Sequence, residues 1–211
     1  MVDVAIVDYG MGNLRSVEQA LRHVAPDADV VVTDDASVIA AAGRVVFPGQ
    51  GAMPDCMREL EARGLREAVI TAAHTKPFLG ICIGLQMLFG HSAEGNVAGL
   101  GVLKGEVVRF AANMQDARGD KLKVPHMGWN QVRHVTDHPM WDGIAPDARF
   151  YYVHSYYVKP QDASLIQAVS DYPAPFVCAV AKENLFAVQF HPEKSQAAGL
   201  KLLQNFVQWN P

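Results

Sequence analysis

The residues of this chain best suited to covalent chemistry are a cysteine framed by glycines and a histidine two positions ahead of a glutamate. Cys82 sits in Gly80-Ile81-Cys82-Ile83-Gly84-Leu85-Gln86, with an apolar run entering it and an apolar, helix-compatible stretch leaving it. Glycines two before and two after the cysteine match a nucleophile elbow, a turn too tight for side chains at the flanking positions. Such a turn sets the sulfur at a helix N-terminus, whose positive end favours thiolate over thiol. Far downstream lies Gln189-Phe190-His191-Pro192-Glu193. An imidazole can take the thiol proton and return it to a leaving amine, and a carboxylate can hold that imidazole in one tautomer. On extended backbone, positions i and i+2 share a side, and Pro192 stiffens the segment, so Glu193 is spaced to orient His191. A lone cysteine in an apolar segment is ordinarily structural, and a lone His-Pro-Glu an ordinary loop. Their joint occurrence with elbow glycines favours a Cys82, His191, Glu193 triad. A metal site fits less well, because the chain lacks C-x-x-C and H-x-x-x-H pairings.

Further turns sharpen or limit this reading. Pro48-Gly49-Gln50-Gly51 ends another apolar strand. In open α/β sheets, sites form at the carboxyl ends of strands. The turn reads either as an oxyanion hole completed by the backbone N–H of Ile83 or as an ordinary strand-to-helix connection. Gly10-Met11-Gly12-Asn13 lacks the third glycine of a dinucleotide fingerprint and the lysine of a phosphate loop, so no cofactor is expected there. His126 to Asn130 and Tyr151 to Tyr157 read as strand residues that pack the core.

The elements needed to hold such a site are present. The 211 residues, half of them hydrophobic, suffice for one α/β domain spanning 1–211 with a substantial core. A net charge of −4 with scattered Lys and Arg excludes a nucleic-acid-binding patch. No apolar run is long enough to span a membrane, and the N-terminus reads as a first strand and not as a signal peptide. Three cysteines without regular spacing argue against a disulfide framework and for a reducing cytoplasm, with Cys56 and Cys178 as buried, inert thiols. In the first half, strands at Val4 to Asp8, Val30 to Thr33, Arg44 to Phe47 and Pro77 to Ile81 alternate with helical segments. Those segments include Leu14 to Val24, Met53 to Ala62 and Leu65 to His74, which implies a parallel sheet covered on both faces. The second half reads as strands at Val102 to Phe110, Gly128 to Val135, Phe150 to Val158, Ser164 to Ala168, Phe176 to Val180 and Leu185 to Phe190. Ala112 to Lys123 is an expected exposed loop, and Ser195 to Trp209 a closing amphipathic helix. The expected fold is a single-domain mixed, mostly parallel sheet flanked by helices.

The elbow, the Pro48–Gly51 turn and the His191–Glu193 pair, in that order, resemble the class I, triad-type glutamine amidotransferases, whose fold is flavodoxin-like. Asp8-Tyr9-Gly10-Met11-Gly12-Asn13-Leu14, Val124-Pro125-His126-Met127-Gly128-Trp129-Asn130, Tyr152-Val153-His154-Ser155-Tyr156 and His191-Pro192-Glu193-Lys194-Ser195 resemble the glutaminase subunits of imidazole glycerol phosphate synthases. The resemblance covers essentially the whole chain. It implies glutamine hydrolysis by Cys82, His191 and Glu193, an oxyanion hole from Gly49, Gln50, Gly51 and Ile83, and glutamine held by Gln86, Glu94, Ser155, Tyr156 and Gly51. It further implies passage of ammonia into a separate (β/α)8 barrel cyclase subunit in histidine biosynthesis, with Asn13, Trp129 and Lys194 near that partner. Lys194 also reads as a solvated lysine at a helix start. Gln50 departs from the family, where the smaller Val is common, and a side chain able to hydrogen-bond locally there bears on the backbone flip proposed to form the oxyanion hole. Competing readings are the small subunit of anthranilate or aminodeoxychorismate synthase, a free γ-glutamyl hydrolase, and a module that only binds a partner.

Overall fold

The computed structural model describes residues 2–116 and 118–211. Met1, at the head of the expected first strand, and Ala117, in the expected 112–123 loop, lie outside the described residues. The first half runs β1 (Val4–Val7), α1 (Leu14–Val24), β2 (Val30–Thr33), α2 (Ala36–Ala41), β3 (Arg44–Gly49), α3 (Met53–Ala62), α4 (Arg66–Thr75), β4 (Phe78–Cys82) and α5 (Ile83–Met87). The second half adds β5 (Phe89–Ser92), β6 (Val97–Ala98), β7 (Leu103–Arg109), β8 (His126–Gln131), β9 (Arg133–His134), β10 (Arg149–His154), β11 (Tyr156–Pro160), β12 (Ile166–Asp171), β13 (Pro175–Lys182), β14 (Leu185–Val188) and α6 (Gln196–Gln208).

Each α/β repeat follows from its pattern of apolar side chains. β1 is buried at all four positions, as a strand covered on both faces must be. α1 turns Val17, Ala20 and Leu21 inward and carries Arg22 and His23 in its last turn, where the helix dipole favours cations. α2 was not legible in the sequence. It is six residues long, buries only Ile39, and is held by an N-cap in which the Asp35 carboxylate accepts from the Ser37 N–H at 2.7 Å.

The main sheet runs β2-β1-β3-β4-β14-β13-β11-β7-β5-β6, with β12 and β9 attached beside β13. The strands from β2 to β14 are parallel. From β13 onward the pairings are antiparallel except that of β7 with β5, which is parallel. The strand expected at Gly128 to Val135 is divided. β8 pairs with β10 in a separate two-stranded sheet, while β9 joins β12. The strand expected at Phe150 to Val158 is likewise divided at Ser155, with β10 on β8 and β11 in the main sheet beside β7 and β13. Hydrophobic alternation runs through the break, so the sequence pattern does not reveal the change of sheet.

α5 packs tightly behind β3. A Cβ at Gly84 would lie 1.9 Å from the Phe47 carbonyl oxygen, a backbone atom with no freedom to move away. Gly84→Ala is expected to lower stability by about 1–3 kcal/mol, the range for overpacking a filled core. A urea unfolding midpoint equal to that of the parent chain would show that the β3–α5 contact gives way more easily than this geometry implies.

Candidate active site

Three neighbouring parallel strands end together. Gly49 of β3 is paired with Cys82 of β4, and Ile81 of β4 with Val188 of β14. The chain leaving β14 reaches His191 three residues later, beside the elbow. Cys82 ends β4 and immediately precedes α5, with φ 55° and ψ −109°. This is a region that non-glycine residues rarely occupy, and strain of this kind persists only where surrounding packing enforces it. The tight contact of Gly84 with Phe47 supplies that enforcement. α5 spans only five residues, shorter than the helix-compatible stretch of sequence.

His191 is held from both ends. Its backbone N–H donates to the Tyr151 carbonyl at 2.9 Å, and its carbonyl accepts from the Ser195 hydroxyl at 2.6 Å. That hydroxyl in turn accepts from the Tyr151 N–H at 2.9 Å. The ring Nδ1 lies 2.9 Å from Glu193 Oε1, and both side chains are almost fully buried. Nε2 is buried and makes no complete hydrogen bond among the described residues. Burial opposes a charged imidazole here. The Cys82 sulfur and Glu193 more than reverse that effect and raise His191 to about 10. The Glu193 carboxyl group on one ring nitrogen and the sulfur beside the ring both favour the charged imidazole.

A cavity of about 300 Å³ opens above these groups. Its wall contains Cys82, Ile83, Gln86, Ser155, Tyr156 and His191, together with Gln50, Gly51 and Glu94. Of the expected site residues, Gly49 and Glu193 stand behind the cavity, lining a small recess with Asn13 and Gln50. Glu94 also accepts from the Met53 N–H at 2.9 Å, which ties the β5–β6 turn to the start of α3. The Gln50 side chain is exposed and makes no hydrogen bond among the described residues, so the expected local bond is not formed. Its carbonyl instead accepts from the Cys56 thiol at 3.8 Å. Asn13 and Trp129 are exposed and Lys194 is half-buried. Trp129 lies edge-on to Tyr151, whose backbone holds His191.

Some contributors were not singled out by sequence reasoning. Gln189 is fully buried, with Nε2 3.8 Å from Cys82 Sγ and Oε1 accepting from Gln86 Nε2 at 3.1 Å. Its signal was a lone amide at the end of an apolar strand, two residues before His191. Tyr9 is fully buried behind the Gly49 turn. A Cβ on Gly49 would sit 2.1 Å from the Tyr9 hydroxyl, so glycine is required there. The Tyr9–Asn13 turn therefore packs against the β3 turn. Pro125, Val153 and His154 complete the cavity wall.

At the ends of neighbouring parallel strands of the main sheet, a thiol at an elbow thus stands beside an imidazole paired with a buried carboxyl group. The chain belongs to the class-I glutamine amidotransferases, whose family model matches residues 5–209. A crystal structure of a glutamine amidotransferase superposes with a TM-score of 0.73 over 97% of each chain at 15% identity, a likeness of fold. Within that class, the chain belongs to the family of imidazole glycerol phosphate synthase subunit HisH. It is 67% identical to that subunit from Aromatoleum aromaticum over the whole of both chains. It is 66% identical to the subunit from Thiobacillus denitrificans, covering all of this chain and 92% of the relative.

The raised His191 value has a readable consequence. It favours the charged ring in the folded chain over the unfolded one. The stabilisation is therefore complete below the ordinary imidazole range near pH 6.5 and fades as the pH climbs toward about 10. In an NMR titration, His191 is expected to stay protonated through neutral pH and to titrate at clearly lower pH in Cys82→Ala. An unchanged midpoint in that variant would show that the sulfur does not hold the charge.

Proposed function

We propose that this chain, as one domain over residues 1–211, is the glutaminase subunit of an imidazole glycerol phosphate synthase. In this reading it works in the cytoplasm as a heterodimer with a (β/α)8 cyclase, to which it passes ammonia for histidine biosynthesis. The observation that carries the reading is the convergence of Cys82, His191 and Glu193 at adjacent strand ends, in a chain two-thirds identical to HisH subunits.

The chemistry follows from the geometry. Cys82 thiolate attacks the side-chain amide carbon of glutamine, and the carbonyl electrons move to oxygen. In this reading the oxyanion is received by the Ile83 N–H, at the first position of α5, and by the Gly49–Gln50–Gly51 backbone. His191, already charged, donates its Nε2 proton to the amide nitrogen, and ammonia leaves as the γ-glutamyl thioester forms. The now neutral ring takes a proton from water as the water oxygen attacks the thioester. Collapse of the second tetrahedral species expels the thiolate and releases glutamate, which restores the starting pair. Glu193, 2.9 Å from Nδ1, keeps Nε2 aimed at the reacting atoms. Gln86, Glu94, Ser155, Tyr156 and Gly51 hold the glutamine. Gln86 Oε1 is buried without a partner among the described residues and lies on the cavity wall, so it offers an acceptor to a substrate N–H. Direct transfer of ammonia keeps it from being protonated in water and losing its nucleophilicity. Lys194 lies in the 191–195 segment, Asn13 shares a recess with His191 and Glu193, and Trp129 shares one with Ser195; these three are the proposed contacts to the cyclase.

Glutamate release measured with and without a barrel cyclase and its nucleotide ligand tests the whole reading. Strong stimulation by the partner is expected, with a loss of at least about a thousandfold in Cys82→Ala. Equal, rapid release without the partner would identify a free hydrolase instead. Because the Gln50 side chain is exposed and unbonded, Gln50→Val is expected to leave basal and stimulated rates within about twofold. A larger change would return that side chain to the control of the oxyanion turn.

A further inference from the structure

Two buried histidines, His126 at the start of β8 and His154 at the end of β10, link β8 to the cavity wall. Asn130 Nδ2 lies 3.3 Å from His126 Nε2 and donates to the Asp171 carbonyl at 2.9 Å. His126 Nδ1 is 2.9 Å from His154 Nε2, and His154 Nδ1 is 2.8 Å from the Tyr156 carbonyl oxygen. That same carbonyl accepts from Gln86 Nε2 at 3.1 Å. The second hydrogen on Gln86 Nε2 goes to Gln189 Oε1, and Gln189 Nε2 faces Cys82 Sγ.

The carbonyl at one end determines every proton in the row. A carbonyl only accepts, so His154 Nδ1 must carry hydrogen, and in a neutral ring its Nε2 must then accept. His126 Nδ1 is therefore the donor to it, and His126 Nε2 accepts from Asn130. The Asn130 amide is oriented independently, because its Oδ1 accepts from the Gln131 N–H at 2.8 Å. Both rings are kept neutral. Burial lowers His126 to about 4. Burial lowers His154 to about 3, opposed by the Tyr156 carbonyl and reinforced by the His126 and His191 rings. Aromatic rings pack against both imidazoles. His126 stacks on Tyr172 at 4.1 Å, and Phe110 stands edge-on to both imidazoles.

We infer that the His126–His154 pair is a tautomer-locked spacer that fixes the Tyr156 carbonyl and, through it, the direction of the Gln86 amide in the glutamine pocket. The inference rests on the glutaminase reading. With both Gln86 Nε2 hydrogens committed, Oε1 can only point at the substrate. Loss of the carbonyl tether would free the amide to turn. His126 is a positioning residue outside the cavity wall, and His154, which reaches that wall, has both ring nitrogens committed within the row.

The test uses the complex with a barrel cyclase. His126→Phe keeps an aromatic ring against Tyr172 but removes the donor. It is expected to raise the KM for glutamine about tenfold, the scale of one buried hydrogen bond, with a smaller change in kcat. His126→Asn, whose Nδ2 can take the place of the ring Nδ1, is expected to restore most of the loss. A KM unchanged in His126→Phe would overturn the inference. Nitrogen-15 NMR of the unmodified chain decides the matter even if the variant does not fold. Both rings are expected as neutral Nδ1–H tautomers at pH 7, and an Nε2–H or doubly protonated ring at either position would overturn the lock. Absence of glutamine turnover by the unmodified complex would sink the glutaminase reading itself, an outcome distinct from the ring tautomers.

Discussion

The parallel pairing of β4 with β14 is the constraint on which the rest of this molecule depends. It joins segments about a hundred residues apart and sets Ile81 opposite Val188. A slip of one residue would turn the inward side chains of β14 outward and carry His191 away from the elbow. β14 is also the hinge of the sheet's chemistry, parallel to β4 on one side and antiparallel to β13 on the other. The α/β half supplies Cys82, the second half supplies much of the pocket wall, and this one strand holds them in register.

Around that pairing the structure accumulates features that are unfavourable in isolation. Cys82 occupies a disfavoured backbone region, and the His191–Glu193 pair is buried with little solvent to screen it. Each is tolerated because a neighbour compensates. The fit of Gly84 on Phe47 fixes the elbow, and Ser195 with the Tyr151 backbone clamps the histidine segment. A buried charged pair is stable only with good geometry and further hydrogen bonds, and here the geometry is imposed by three separate elements.

Much of this was legible in the residues. α1 and α3 fall where apolar spacing puts them, because long amphipathic helices carry their own signal. The elbow glycines were readable since they encode local geometry. The His191–Glu193 pair was read from spacing on extended backbone, whereas Pro192–Lys194 form a 3-10 turn, and it is this turn that brings the carboxyl group back to the ring. What escaped was either short or non-local. α2, β5 and β6 are too brief to show a period. The break at Ser155 is hidden inside a run of aromatic strand formers, although that break is what turns Ser155 into the pocket. Gln189 went unread because a single buried amide has meaning only once its partners across the sheet, Gln86 and Cys82, are known.

The three thiols of the chain are all free, but they are not equivalent. Burial pushes Cys56 and Cys178 up to about 11, and neither lines the cavity. Only Cys82 meets a solvent-connected space beside a cationic ring. In the folded chain a mild alkylating reagent at neutral pH is therefore expected to take Cys82 alone. Uptake beyond one label per chain would report molecules whose packing has opened around Cys56 or Cys178, whatever their catalytic rate.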